Sequence, residues 1–164
     1  MKKTSISLTM LLIASMLTAI AQNPTPTPPP TPGAQYAGMY TFLREGEFVQ
    51  ITIEDAGAVS GFISRYGDLD SDKGAFLDHF FKGGKLTGAQ LMFKTETVHG
   101  TWFDFTGSFG RGEGKNPGDE AFYMLKGTLV QHVVDENQKM TTKTREVALK
   151  SFPQKMTPAQ NKSE

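Results

Sequence analysis

The stretch that most constrains this chain is Leu86–Phe109, LTGAQLMFKTETVHGTWFDFTGSF. Ala89, Leu91, Phe93 and Thr95 fall on one side of a period-2 pattern, and Gln90, Met92, Lys94 and Glu96 on the other. That alternation is the mark of a half-buried strand. After a turn near residues 96–98 the pattern resumes. Thr101, Phe103, Phe105 and Phe109 share one face, with His99 in phase, and Gly100, Trp102, Asp104 and Thr106 share the other. Two long strands about a tight turn predict an antiparallel hairpin, and its aromatic face has to be covered by more strands.

The rest of the chain supplies them. Tyr36–Leu43 alternates weakly, and Glu47–Glu54 places Val49, Ile51 and Ile53 inward. Asp55-Ala56-Gly57 reads as a hairpin turn. Ala58–Tyr66 is a third strand, with Gly61 marking a bulge or bend. Ala75–Lys82 fits either a short helix closed by Gly83-Gly84 or a strand, and strand is preferred because eight residues make a poor helix. Gly110–Glu120 reads as a mobile polar loop. Ala121–Val134 puts Tyr123, Leu125, Leu129 and Val133 on one face. Lys139–Phe152 is rich in Thr and alternates poorly, as an edge or closing strand does. The result is an all-β domain over 36–153: an antiparallel up-and-down meander of about eight strands forming a small closed or partly open barrel, with a β-sandwich as the alternative.

Residues 1–21 read as an export signal. Lys2 and Lys3 precede an apolar run, and Ala19-Ile20-Ala21 offers small residues for cleavage after Ala21. The product is expected in the periplasm or the medium, with no membrane span once the signal is gone. Residues 22–35 hold six of the nine prolines and read as an extended linker. Residues 154–164 read as a disordered polar tail. There is no cysteine, so thiolate metal sites, disulfides and lipid attachment are excluded. Beyond the signal, 15 basic side chains face 17 acidic ones, which argues against a nucleic-acid partner.

Few residues suggest chemistry. Asp68, Asp70 and Asp72 alternate as calcium ligands can, yet glycine stands seventh and His79 stands where a bidentate Glu would close the loop. The disfavoured metal reading therefore loses to a solvated acidic turn. His79, His99 and His132 have no close ligand spacing, and each falls in an expected strand. Asp104 and Glu113 are carboxylates near the aromatic hairpin, with nothing to pair them. Trp102 with Asp104, opposite Phe103 and Phe105, is the candidate ligand platform. No cofactor is expected, and nothing gives a positive reason to read an enzyme.

The glycine-led segments GMYTF, SGFI, TGAQLMF and HGTWFDF resemble strand openings of small secreted meander barrels, the avidin-like and lipocalin-like calycin group. The resemblance spans Gly38 to about Val134 and implies that fold. Avidins line their biotin site with several tryptophans, whereas this chain has only Trp102. Lipocalins open with Gly-x-Trp, where this chain has Gly38-Met39-Tyr40. No binding residue is carried over. The expected function is an exported, non-catalytic barrel holding a small apolar or amphipathic ligand. The alternatives are a structural or interaction protein of the envelope, with an envelope protein as partner, and a hydrolase with an unrecognised site.

Overall fold

The computed structural model describes residues 31–68 and 72–154. The expected signal, most of the linker, Asp70 and most of the tail lie outside the described residues. Eight strands form one antiparallel sheet in chain order: β1 Gly38–Thr41, β2 Phe48–Ile53, β3 Val59–Tyr66, β4 Phe76–Thr87, β5 Gln90–Thr95, β6 Thr101–Arg111, β7 Tyr123–Val134 and β8 Met140–Lys150. The sheet curls strongly into a half-barrel. A meander was the expectation, and no sandwich forms.

The curl brings the two outer strands together at one end only. Tyr40 bridges Ser151, Phe152 N donates to Met39 O at 2.8 Å, and Lys150 N donates to Thr41 Oγ1 at 2.9 Å. β1 stops at Thr41, so most of β8 has no strand partner on its outer side among the described residues. A seam therefore opens between the β1–β2 loop and β8. The loops β1–β2, β3–β4, β5–β6 and β7–β8 lie at this open end, and the remaining loops at the closed end.

Alternation decides what points inward. Val49, Ile51, Ile63, Leu91, Phe93, Phe103, Phe105, Leu125, Leu129 and Leu149 form the core with Tyr40. Phe93 sits opposite Phe105 in the register, and their rings stack at 5.1 Å. Tyr36, from a 3-10 turn over Ala34–Tyr36, stacks on Phe109 at 4.5 Å and plugs the closed end. Gly107 and Gly127 face each other across β6 and β7. A Cβ on Gly127 would overlap the Thr106 carbonyl, and one on Gly107 the Lys126 carbonyl. This close approach admits no side chain.

Three expectations change. The segment over 75–82 is a strand, as preferred, but it does not stop at Gly83-Gly84. β4 runs on to Thr87, absorbing one extra residue in a register shift between Phe81 and Gly83. The turn falls at Gly88, with φ 62°, and β5 begins only at Gln90. Leu86 therefore belongs to the strand before the hairpin and pairs with Leu91. His99 is not in a strand. It takes φ 46° in the β5–β6 turn beside Gly100. The 110–120 loop is pinned: Asp119 accepts hydrogen bonds from the backbone of Lys115 and Asn116, and Gly112 N donates to Phe122 O.

Candidate functional site

The inward face is apolar in its lower half and polar towards the open end. Register explains the change. Ile63 pairs with His79 and Arg65 with Leu77, so the alternation that buries Ile63 carries Arg65 and His79 inside as well. Arg65 is 4% exposed and His79 fully buried.

A buried arginine has to be satisfied. Its Nε donates to His79 Nε2 at 3.1 Å, and a terminal nitrogen donates to Tyr66 O at 3.0 Å and to Asp68 Oδ2 at 2.6 Å. The guanidinium also lies 5.5 Å from the centre of the Phe103 ring. The bond from Arg65 fixes His79 as a neutral imidazole with its proton on Nδ1. That nitrogen has no hydrogen-bond partner of good geometry. Burial, reinforced by the Arg65 charge, pushes the His79 pKa down to about 4. At Asp68 burial alone would raise the pKa, but hydrogen bonds and charge from Arg44 and Arg65 outweigh it and hold the carboxyl low.

Between pH 6.5 and about 4 an unfolded chain takes up a proton at His79 that the folded one refuses. Stability should fall as pH drops through that window, by up to about 3 kcal/mol, and the His79 contribution should level off below it. His79→Gln keeps an acceptor for Arg65 and cannot titrate. Denaturant midpoints of the wild type and His79→Gln should therefore diverge with pH across the window. Parallel curves would show that His79 is solvated in the folded state.

Around Arg65 the open end holds a cavity of about 550 Å³ between the β3–β4, β5–β6 and β7–β8 loops. Leu77, Val133 and Val134 give apolar wall, Arg65, Thr101 and His99 give polar groups, and Asp68, Asp72, Asp135 and Glu136 bring carboxylates to the loop rim. His99 Nδ1 lies 2.7 Å from Asp72 Oδ2, which ties the β5–β6 turn to the β3–β4 loop. Such a hollow can hold a small molecule with an apolar body and one or two polar groups. Beside the cavity, the His79 ring packs edge-on against Phe103 at 5.2 Å and accepts from Arg65.

The candidates raised by the sequence fall in different places. Trp102 and Asp104 are brought together, but on the outer face. The Trp102 ring stacks on His132 at 4.8 Å, and Asp104 is 2.9 Å from His132 Nε2 and 3.6 Å from Lys94 Nζ. Trp102 Nε1 is buried with no hydrogen-bond partner among the described residues. Asp104 and Glu113 do not meet, since the seven residue steps along β6 from Asp104 to Arg111 advance roughly 23 Å. The three histidines lie inside the sheet, in a turn and outside it, so they share no site. Asp68 is engaged by Arg44 and Arg65, and Asp72 by His99. No group of three or more possible metal ligands clusters among the described residues.

Among the described residues no helix is long and apolar enough to cross a membrane. No family model and no curated protein matches the sequence. Solved structures do match the fold. The crystal structure of rhizavidin superposes with a TM-score of 0.53 at 9% identity, covering 75% of this chain and 87% of that one. The rhizavidin–biotin complex gives 0.52 at 9% identity, covering 75% and 97%. Intact afifavidin in its apo form gives 0.52 at 9% identity, covering 76% and 86%. The expected likeness to the avidin-like group therefore holds at the level of fold.

Proposed function

We propose that this chain is an exported, non-catalytic binding protein that seats a small amphipathic molecule at the open end of its barrel. The observation that carries the reading is the cavity of about 550 Å³ around Arg65. Its size falls in the range of small-molecule sites, and it joins apolar wall to a few fixed polar groups, as such sites do. Arg65 is held by His79, Asp68 and the Tyr66 carbonyl before anything binds. A preorganised group gives affinity without a further ordering cost. The fold supports the reading, because rhizavidin has been solved with biotin. The walls here have their own chemistry: the single tryptophan lies on the outer face, and the cavity is lined by Arg65, His99, Thr101 and several carboxylates.

The test is a small-molecule screen that includes biotin, read by thermal shift against Val133→Trp. Val133 lines the cavity and is half-buried, so an indole there fills the hollow while the strand persists. Compounds that stabilise the wild type should lose their effect on the variant, whose circular dichroism stays native. A compound that stabilises both proteins equally binds elsewhere and overturns the assignment.

A further inference from the structure

A second hollow, of about 370 Å³, lies on the other side of Arg65, in the seam between the β1–β2 loop and β8. Its walls carry the cations Arg44, Arg65, Lys143 and Arg145 against the carboxylates Glu47 and Asp68. Both carboxylates are already engaged. Glu47 accepts from the backbone N–H of Arg44 and of Tyr66, each at 3.1 Å, and Asp68 accepts from Arg44 and Arg65. Among the described residues Lys143 and Arg145 make no ion pair. Arg145 gives a terminal N–H to Gln131 Oε1 at 3.0 Å, and its buried Nε has no hydrogen-bond partner among the described residues.

A buried donor with nothing to donate to, on a cation with no counter-charge, calls for an oxyanion. The planar fork of an arginine matches a carboxylate with two parallel hydrogen bonds. Lys143, two residues along the same strand and on the same face, adds a second positive charge. Leu43 and Phe103 complete the lining with apolar surface for a short carbon chain. We infer that the seam binds the carboxylate of a small organic acid, with Arg145 as the fork and Lys143 as the second charge. The two hollows share Arg65 and Asp68, but Lys143 and Arg145 line only the seam and Val133 only the loop-end cavity.

Succinate, its dimethyl ester and inorganic phosphate are the probes, followed by calorimetry and thermal shift on the folded chain. Succinate should bind saturably and raise the melting temperature, more weakly at high salt, and the ester should not bind. Arg145→Gln and Lys143→Gln should each weaken succinate about tenfold or more. Val133→Trp should leave it unchanged, which separates this site from the loop-end cavity. Lys143 is exposed, so Lys143→Gln decides the matter even if Arg145→Gln folds poorly. Equal binding of the ester, equal binding of phosphate, or wild-type affinity in the folded charge variants would overturn the inference.

Discussion

Phe105→Ala should lower the unfolding free energy by about 3–5 kcal/mol, the usual range for truncating a buried phenylalanine. Phe105 is 2% exposed, its ring stacks on Phe93, and it lies against Gly107, which has no side chain to move in. The void cannot collapse, so the cost should fall in the upper part of that range. Trp102 is the control from the same strand. It is half-buried on the outer face, and its main contact is the stack on His132. Trp102→Ala should cost only about 1–2 kcal/mol. Trp102→Phe keeps a stacking ring, removes the orphaned Nε1, and should be close to neutral. Denaturant midpoints measure all three. A domain of this size has only about 5–15 kcal/mol to lose, so the gap between Phe105→Ala and Trp102→Ala should be plain. A Trp102→Ala protein less stable than Phe105→Ala would mean that the strand is turned over.

Glu47→Ala should be the second large loss, about 2–4 kcal/mol. Glu47 is 3% exposed, and its carboxylate accepts from the backbone N–H groups of Arg44 and Tyr66. It thus clips the β1–β2 turn to the end of β3. Alanine leaves both donors without an acceptor, and an abandoned buried donor costs about 1–3 kcal/mol. Glu47→Gln keeps one acceptor and turns an amide NH₂ towards an N–H, so it should fall between wild type and alanine. The sharper readout is amide exchange: the Arg44 and Tyr66 amides should exchange faster in Glu47→Ala while core amides of β6 and β7 keep their protection. Unchanged exchange at these two amides would show that water satisfies them.

Much of the architecture was legible because alternation is a local signal. Leu91, Phe93, Phe103, Phe105, Leu125 and Leu129 fall inward wherever the pattern is followed, and the thin alternation of β8 marked it as an outer strand. The junction from β4 to β5 was misplaced because Gly83 and Gly84 look like punctuation. Within a long curled strand they instead allow a bulge, and the turn is left to Gly88. The site was harder to see. Glu47 is in phase with Val49 and Ile51, and Arg65 with Ile63, so the pattern itself marked both as inward. Charged side chains are ordinarily read as solvent-facing, and what overrides that reading is a set of partners from other strands and loops. Asp68, His79 and the Tyr66 backbone come together only on folding. Trp102 drew notice as the sole tryptophan, but the same alternation that buries Phe103 turns it outward.

The half-open seam also bears on how these molecules behave in company. Among the described residues, most of β8 has no strand paired along its outer side, and such an edge is a template on which a strand of another chain can add. Its sequence from Met140, MTTKTREV, is threonine and charge with no apolar run. Lys143, Arg145 and Glu146 put charged heads along that rim, so an incoming strand has to desolvate or oppose them. The opening that admits a small acid is thereby poor ground for a β-strand, which lets a curled sheet stay unsealed in a crowded solution without recruiting its neighbours into fibres.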